Sequence, residues 1–489
     1  MGQSPSKQPL LLTTLIESGK LSLARSLSSV KINGLPLGHS GFFTVSSLGG
    51  KANNIFFFYQ PCTDCEDPSV APLIQWFNGG PGSPDTVGLF NQIGRYYVSE
   101  DLSLQERCHT LCRTSSCLFL DSPVGTGYSF QAPADNGSEG SLEPTPTSSD
   151  VARQAVSVLK QFLTIFPEHL GADLFVAGLS YAGHYVPHYA TRLLAEGSSV
   201  DVNLVGVLVG DPAMYHEREI GEYPAVFKAL GLVDKREEEE LRGLMRRSGE
   251  RSRAGDCVGA FEEWNKVFND DGGSSCGSDC QFLFKKWTGS ENTEHVALLG
   301  QPAEFDYFRK FLKVGGVEEA LHVAGSPASG ASNATMSEGG LVYTAMVESG
   351  DFCENTTPLF AELLEAGVDV FITAGNMDVL LGPAPVGEAV KGILEEWGKG
   401  TLGEFEGKRK SMWVVNGDTK GYSKCIERGG VFCFVVVRNA GHEVASYQPE
   451  ANWDVMRRLM KREWEVWEGG GETPKCFEVE GGAGPLLDL

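Results

Sequence analysis

Residues 178–183 read Gly178-Leu-Ser-Tyr-Ala-Gly183, between an apolar segment at 174–177 and a helical pattern that begins at Tyr181. The motif is close to G-x-S-x-G, with Ala182 in the place of the second glycine. Small residues around a serine allow a tight turn from a strand into a helix, and that turn exposes the serine hydroxyl. The segment therefore predicts an α/β protein in which Ser180 is a candidate nucleophile.

Other apolar segments of strand length occur on both sides of this motif. Their positions are 40–45, 55–59, 72–77, 116–121, 204–209, 368–373 and 431–437. Helical patterns lie between several of them, such as the one at 150–166, for which Asp150 is the predicted N-cap. Alternating strands and helices predict a mostly parallel central sheet with helices on both faces.

The pattern changes in the middle of the chain, where charge runs and irregular helices replace the strands. We interpret 213–364 as a largely helical cap insertion between two parts of one core, at 36–212 and 365–467. Residues 1–35 form an N-terminal extension in this interpretation, and the glycine-rich residues 468–489 form a flexible tail.

Three of the predicted strands end just before Ser180, Asp378 and His442. The carboxyl ends of parallel strands form the sites of open α/β sheets. The order Ser, Asp, His is that of the α/β-hydrolase fold, in which histidine takes the serine proton and the acid orients the histidine. Taken singly, the three could be a helix N-cap, a turn residue and a loop histidine. Together, at three strand ends and in this order, they favour a catalytic triad.

Composition excludes several classes of function. The chain has 489 residues, of which 41% are hydrophobic and 21% charged, as in an ordinary globular protein. Its 40 basic and 64 acidic side chains give a net charge of −24, which argues against nucleic acid and anionic membranes as partners. No apolar run is long enough for a membrane span.

Twelve cysteines and three N-x-S/T sequons, at Asn136, Asn333 and Asn355, favour a secreted or vacuolar protein with glycosylation at those sites. Cys108, Cys112 and Cys117 are predicted to bond with one another or with Cys62 and Cys65. Zinc is the alternative, because Cys62-Thr-Asp-Cys65 has the spacing of a finger, although no second pair completes a four-ligand set.

The N-terminal segment points the other way. Met1-Gly-Gln-Ser-Pro-Ser6 fits the myristoylation pattern, and Leu10-Leu-Leu12 is too short for the apolar part of a signal peptide. Either the leader is missing from this sequence or the protein is intracellular.

Five motifs, in order along the chain, resemble the serine carboxypeptidase family. They are Asn78-Gly-Gly-Pro-Gly82, Phe119-Leu-Asp-Ser-Pro-Val-Gly-Thr-Gly-Tyr-Ser-Phe130, Ser180-Tyr-Ala-Gly-His-Tyr-Val-Pro187, Glu318-Glu-Ala-Leu-His-Val323 and Gly441-His442 with Gln448-Pro-Glu450. The resemblance implies an α/β-hydrolase core with a helical insertion, disulfides and glycosylation. It also implies release of C-terminal residues through an acyl-enzyme, usually at acid pH, without a cofactor or metal.

The resemblance assigns roles to individual residues. Ser180 is the nucleophile, His442 the base and Asp378 its orienting acid. The backbone N–H groups of Gly80 and Tyr181 are the oxyanion donors. Trp76 and Asn78 match the family residues beside the substrate's terminal carboxylate, although Trp76 could equally be a core residue.

Two departures from the family pattern concern recognition of that carboxylate. The glutamate before the nucleophile is Leu179 here, and the second glutamate aligns with Gln92. We therefore predict altered carboxylate recognition, unless another residue such as Arg95 binds the carboxylate. The family cysteine after Asn-Gly-Gly-Pro-Gly is Ser83, which predicts the loss or rewiring of one disulfide.

The sequence thus predicts a serine-type carboxypeptidase that acts on a peptide or acyl-ester substrate. The rebuilt leaving-group side leaves an acyltransferase or esterase as the alternative. A third possibility, from another class, is a non-catalytic binding protein on the same scaffold. The sequence makes no prediction of the oligomeric state.

Overall fold

A computed structural model of the chain describes residues 8–46, 50–65, 67, 70–132, 146–268, 282–329, 340–465 and 467. The predicted tail at 468–489 and the sequons at Asn136 and Asn333 lie outside these residues. The chain divides into two compact units. Unit 1 consists of Met1–Gly178, His188–Val207 and Ala303–Ala345, and unit 2 of Leu179–Pro187, Leu208–Pro302 and Met346–Leu489.

The strands have the following bounds: β1 Ser29–Ile32, β2 Leu35–Ser46, β3 Ala52–Gln60, β4 Leu73–Phe77, β5 Tyr96–Val98, β6 Leu104–Glu106, β7 Ser116–Leu120, β8 Phe130–Gln131, β9 Asp173–Leu179, β10 Asn203–Gly210, β11 Asp369–Gly375, β12 Ser411–Val415, β13 Asp418–Arg428 and β14 Gly430–Val437. The predicted strands are all present, with ends that differ by a few residues from the sequence patterns.

The helices have the following bounds: α1 Thr13–Glu17, α2 Leu21–Leu27, α3 Ser148–Ile165, α4 Ala182–Glu196, α5 His216–Glu219, α6 Tyr223–Ala229, α7 Lys235–Arg253, α8 Cys257–Phe268, α9 Leu283–Thr288, α10 Tyr307–Leu312, α11 Val317–Ala320, α12 Leu341–Glu348, α13 Thr357–Glu365, α14 Pro383–Glu396, α15 Thr401–Gly407, α16 Val444–Tyr447 and α17 Pro449–Lys461. Among the described residues of 213–364, the regular elements are helices, as predicted for the insertion.

In unit 1 the strand order is β1-β2-β3-β7-β4-β9. The β2–β3 pair is antiparallel, with Phe42 opposite Phe56, and β3 pairs antiparallel with β7. Strand β4 runs parallel to both β7 and β9, so that Trp76 has Phe119 and Ala177 as its partners. The centre of the sheet is therefore parallel, as predicted, and its first edge is antiparallel.

Strand β10 follows β9 in the strand order and continues from unit 1 into unit 2 at residue 208. In unit 2 the order is β11-β14-β13-β12, with β11 parallel to β14. Strands β14, β13 and β12 are antiparallel neighbours, because short turns join them and parallel pairing needs a long crossover. The sheet is thus mixed, and the prediction of mostly parallel strands holds for its central part only.

Helix α3 corrects one detail of the sequence interpretation. Its N-cap is Thr147, and Asp150 occupies the third helical position, where its carboxylate accepts the Thr147 backbone N–H. The Thr147 hydroxyl in turn accepts the Asp150 N–H. This arrangement is a capping box, in which each residue accepts the backbone N–H of the other. The sequence pattern indicates Asp150 as the N-cap and so places the start of the helix three residues too late.

Each unit has its own core. In unit 1 the aromatic side chains of β2, β3 and α3 pack together, and the hydroxyl of Tyr59 lies 2.7 Å from Nε2 of His169. In unit 2 Asp454 is fully buried, accepts the Trp413 indole N–H at 2.8 Å and pairs with Arg458 at 2.6 Å. A buried charge of this kind is tolerated because it is both paired and hydrogen-bonded.

Candidate active site

The turn between β9 and α4 has the geometry expected of a nucleophile turn. Ser180 has a φ of +63°, in the left-handed region that side chains other than glycine seldom adopt. Its backbone N–H donates to the carbonyl oxygen of Gly210 at 2.8 Å, and its own carbonyl accepts the Ala213 N–H at 3.1 Å. The surrounding hydrogen bonds thus hold a strained residue in place, as is common at functional sites.

Gly183 follows Ala182 directly. Because Gly183 has no side chain, the backbone of Ala213 can pack closely against the Ser180 turn. A Cβ atom on Gly183 would lie 2.1 Å from the carbonyl oxygen of Ala213. Ala182 itself is fully buried. The replacement of the second motif glycine by alanine is therefore compatible with the turn, because the next residue supplies the necessary space.

The predicted acid and base lie together in unit 2. Nδ1 of His442 is 2.7 Å from Oδ2 of Asp378, and both side chains are buried. The other carboxylate oxygen of Asp378 accepts the Leu380 backbone N–H at 2.7 Å. Because both oxygens are engaged, the carboxylate can fix the tautomer and orientation of the imidazole, which leaves Nε2 as the basic nitrogen.

The surroundings of His442 favour its protonated form. Burial opposes the positive charge, but the Asp378 carboxylate, with a smaller contribution from Glu294, raises the pKa of His442 above its usual value. The backbone N–H of His442 donates to the carbonyl oxygen of Glu294 at 2.7 Å. A chain segment within the predicted insertion therefore supports the base.

Sequence reasoning missed a fourth residue in this cluster. Asp211 follows β10, is fully buried, and has a carboxylate oxygen within 4.8 Å of ligand atoms of both Asp378 and His442. The signal was present, since β10 also ends in a small residue followed by an acid, Gly210-Asp211. The same strand-end rule that predicts the triad could have pointed to Asp211.

The remaining unit 2 residues of the prediction flank the nucleophile. Tyr181 is buried, donates its hydroxyl to Oδ2 of Asp351 at 2.8 Å and stacks on His184 with ring centroids 4.5 Å apart. Its side chain is thereby held in one position. Leu179 is 7% exposed and has no polar atom in its side chain that could bind a carboxylate.

Gly80 and Asn78 lie in a tightly folded loop of unit 1. Gly80 has a φ of +108°, and a Cβ atom there would lie 2.7 Å from the backbone nitrogen of Ser83, so only glycine fits. The Asn78 amide donates to the carbonyl oxygen of Pro84 at 2.9 Å, and its backbone N–H donates to Asp85 at 2.7 Å. Asn78 therefore stabilises the loop that carries Gly80.

Two other predicted residues of unit 1 carry buried polar groups without a hydrogen-bond partner among the described residues. These are the indole nitrogen of Trp76 and both amide atoms of Gln92. Trp76 is 3% exposed and Gln92 2%. Buried polar groups are nearly always paired in folded proteins, so unpaired ones are candidates for contacts with a ligand.

Arg95, the alternative carboxylate binder, already has a partner. Its guanidinium donates to the Glu106 carboxylate at 2.9 Å, and its backbone N–H donates to Gln60. The alternative requires the Arg95 guanidinium to bind the substrate carboxylate, but the Glu106 carboxylate already neutralises that guanidinium.

The predicted pairing is confirmed for Cys112–Cys117 in unit 1. Cys62 and Cys65 bond to each other, a pair that the sequence does not predict. A third pair, Cys425–Cys433, joins neighbouring strands of unit 2, and Cys108 is also disulfide-bonded. The zinc interpretation of Cys62 and Cys65 is wrong for this structure, because both sulfurs are bonded to each other and neither is a thiolate.

Two groups of described side chains bring together donor atoms of the kinds that bind metals: His184, Asp351 and Glu354, and Asp211, Asp378 and His442. In both groups the central carboxylate has another role, since Asp351 accepts the Tyr181 hydroxyl and Asp378 pairs with His442. That the protein needs no metal or cofactor stays a prediction. Within the described part of the chain, no helix is long and apolar enough to cross a membrane.

Comparisons with known proteins agree with the fold described above and with the family that the sequence motifs resemble. A solved structure of a prohormone-processing carboxypeptidase from Saccharomyces cerevisiae matches with a TM-score of 0.68 at 18% identity, over 89% of this chain and 93% of that one. The chain therefore has the α/β-hydrolase fold. The family model for serine carboxypeptidases matches residues 37–462. The chain belongs to the serine carboxypeptidase family.

Curated relatives support the same assignment. The human protein named probable serine carboxypeptidase CPVL is 30% identical over 469 residues, which cover 95% of this chain and 92% of the human one. The venom serine carboxypeptidase of Apis mellifera is 27% identical over 467 residues, with 92% and 90% covered. The chain thus matches its relatives over nearly their whole length.

Proposed function

We propose that this protein is a serine-type carboxypeptidase in which Ser180, His442 and Asp378 form the catalytic triad. The single observation that carries the proposal is the strained Ser180 turn in the same compact unit as the hydrogen-bonded pair of His442 and Asp378. Membership of the family supplies the reaction, and the chemistry of these three side chains agrees with it.

In the proposed reaction, Oγ of Ser180 attacks the carbonyl carbon of the last peptide bond while Nε2 of His442 takes the serine proton. The tetrahedral oxyanion accepts hydrogen bonds from the backbone N–H groups of Gly80 and Tyr181. His442 then donates its proton to the departing amine, which leaves an acyl-Ser180 intermediate. Water, deprotonated by His442, hydrolyses this ester, and the serine recovers its proton.

Recognition of the substrate's C-terminus is the part that we propose to differ from the family pattern. Leu179 offers no hydrogen bond, whereas Gln92 and the indole of Trp76 offer buried donors with no partner among the described residues. An amide and an indole N–H donate at every pH, unlike a glutamic acid, which donates only when it is protonated. The carboxylate is therefore bound by neutral donors.

The experiment that tests the proposed activity is a digest of peptides with free and amidated C-termini, followed by mass spectrometry. We expect loss of single residues from the C-terminus, and no loss with the Ser180→Ala variant. Absence of C-terminal shortening by folded wild-type protein, over pH 4–9 and a varied peptide set, would contradict it.

The missing glutamate pair also favours a second candidate, transfer of the acyl group to an alcohol or hydrolysis of esters. A leaving-group side without the carboxylate pair, with Leu179 beside the nucleophile, suits an acyl donor that has no C-terminal carboxylate. Product analysis with an ester donor and excess alcohol distinguishes the two. Hydrolysis products alone would exclude the transferase.

We also propose that the protein is secretory, with glycosylation at Asn136, Asn333 and Asn355. Support comes from the disulfides among the described residues, Cys62–Cys65, Cys112–Cys117 and Cys425–Cys433, because disulfides persist in oxidising compartments. Asn355 is half-buried, and its side-chain oxygen accepts the hydroxyl of Thr357 at 2.8 Å. Glycosidase-sensitive mobility of the protein from its native source would test this proposal.

A further inference from the structure

Asp211 is a buried acid that the triad mechanism does not use. It follows β10 directly, its exposure is 0%, and its φ of +43° lies in the left-handed region. Aspartate and asparagine are among the few residues that adopt this region without great cost. Position 211 therefore favours a residue with a short, oxygen-containing side chain that tolerates a positive φ.

Backbone hydrogen bonds place Asp211 between the nucleophile and the acid. On one side, the Ser180 N–H donates to the carbonyl oxygen of Gly210, and the Ser180 carbonyl accepts the Ala213 N–H. On the other side, the Asp211 N–H donates to the carbonyl oxygen of Thr373 at 2.8 Å, and Oδ1 of Asp211 accepts the Gly375 N–H at 2.7 Å. Asp378 follows that strand by three residues.

The second carboxyl oxygen of Asp211 is the unusual one. Oδ2 is buried and has no hydrogen-bond partner among the described residues if the group is an anion. A carboxyl oxygen of Asp211 lies within 4.8 Å of donor atoms of Asp378 and His442. The side chains of Asp211 and Asp378 are within hydrogen-bond reach of each other. Two adjacent carboxylates in a buried site repel each other, and a shared proton removes that cost. Burial, followed by the Asp378 charge, raises the pKa of Asp211 well above its ordinary value.

We propose that Asp211 is a positioning residue of this active site, which as a neutral acid donates a hydrogen bond from Oδ2 to the carboxylate of Asp378. Asp378 has room for this third bond, since a carboxylate can accept about four. The proposal rests on the proposed function only in so far as it makes Asp378 and His442 catalytic. Asp211 then connects the acid to the turn that carries Ser180.

The other groups around the pair leave this assignment intact. Besides Asp378, His442 is the ionisable group that acts on Asp211. Glu294 acts on His442, whose pKa it raises. The charge of Asp378 also acts on three other titratable groups, His295, Tyr223 and Tyr447. Burial lowers the pKa of His295 and raises those of both tyrosines, so these three are neutral near pH 7.

The test compares Asp211→Asn with Asp211→Gly. Asparagine keeps an oxygen for the Gly375 N–H and supplies an amide N–H for Asp378, and it tolerates the left-handed backbone. Glycine tolerates the same backbone and removes both contacts. We expect kcat/KM to fall less than about tenfold in Asp211→Asn and further, by roughly ten- to a hundredfold, in Asp211→Gly, the size of a lost hydrogen bond to a charged group.

A second readout separates positioning from a general structural role. The downfield proton resonance of the His442 Nδ1–H reports the titration of that histidine and does not require activity. If Asp211 is neutral, Asp211→Asn leaves the pH midpoint of this resonance unchanged. If Asp211 is an anion, its removal lowers the midpoint by about one pH unit, because a negative charge near the histidine disappears.

A lowered midpoint in Asp211→Asn, or wild-type kinetics in Asp211→Gly, overturns the proposal. The proposal is also overturned if the melting curve shows that the Asp211→Asn protein is unfolded. Asparagine is neutral, accepts one hydrogen bond and donates another, as the proposal requires of residue 211. If wild-type protein has no peptidase activity but the resonance behaves as expected, the proposed function fails and the positioning role of Asp211 stands.

Discussion

The carbonyl oxygen of Ala213 lies 2.1 Å from the point that a Cβ atom of Gly183 would occupy. This approach closes the turn that holds Ser180, because the Ala213 N–H also donates to the Ser180 carbonyl. The nucleophile turn thus depends on the absence of a side chain at 183. Its strain is stabilised by a neighbouring loop and not by the motif alone.

The first prediction is that Gly183→Ala damages the site. An added methyl group must push back backbone atoms, which costs about 1–3 kcal/mol in a packed interior. We expect a lower melting temperature and at least a tenfold fall in kcat/KM. The matched control is Gly403→Ala in α15, where nothing lies within 4 Å of the added Cβ. Equal behaviour of the two variants would contradict the account of the turn.

The second prediction concerns pH. His442 acts as a base only when unprotonated, and Asp378 raises its pKa above the usual value of about 6.5. Activity should therefore be low in acid and rise through neutral pH, with the midpoint of kcat/KM above that value. A maximum of kcat/KM below pH 6 is the opposite result.

The third prediction is that Asp378→Asn moves this midpoint to lower pH, because the charge that raises the His442 pKa is gone. The rate at high pH should also fall by about 10⁴-fold, since an amide stabilises the wrong tautomer of the histidine. Kinetics over pH 5–9, with the folded state checked by circular dichroism, measure both effects. An unmoved midpoint would mean that another group controls the profile.

The fourth prediction is weak discrimination between a free C-terminal carboxylate and an amide or ester. Leu179 cannot donate a hydrogen bond, and the lost bond to a charge corresponds to about 1.5–3 kcal/mol, or roughly ten- to a hundredfold in affinity. The double variant Leu179→Glu with Gln92→Glu should restore that selectivity and shift the optimum to acid pH, where one carboxyl is protonated.

The control for this pair is Gln105→Glu, at an exposed position on β6. The measurement is the ratio of kcat/KM for matched free and amidated peptides between pH 4 and pH 8. A strong wild-type preference for free carboxylates, greatest well below pH 6, would show that another group binds the carboxylate.

The fifth prediction concerns the free thiols Cys257 and Cys353. Burial and the nearby Cys257 thiol raise the pKa of Cys353 to about 12. Since the thiolate is the reactive form, Cys353 should resist iodoacetamide at pH 8 in native protein and react after denaturation. Peptide mapping without reduction checks this together with the disulfides Cys62–Cys65, Cys112–Cys117 and Cys425–Cys433. Ten or more free thiols in the denatured protein would place it in a reducing compartment.

Local sequence patterns predicted the strands, the helical insertion and the strand ends that carry Ser180, Asp378 and His442. These features follow from periodicity and from residues that are near neighbours in the chain. Contacts between distant segments left no such signal. Examples are the bond from Tyr181 to Asp351 and the partner of Arg95.

The wrong N-cap of α3 and the omission of Asp211 from the predicted site have other causes. The capping box made Asp150 look like the cap because either of its two residues fits the pattern. Asp211 also follows a strand, but the Ser, Asp, His pattern of an α/β-hydrolase has no place for a second acid. Its burial and its unpaired oxygen, which only the fold shows, are what mark it.

The most direct test of the central claim is covalent labelling of the folded protein with a fluorophosphonate, followed by mass spectrometry of its peptides. A triad predicts a single modified residue, Ser180, faster labelling as the pH rises from 5 to 8, and no labelling of Ser180→Ala. Labelling that survives Ser180→Ala, or none in folded wild-type protein, would contradict the assignment of Ser180 as an activated nucleophile.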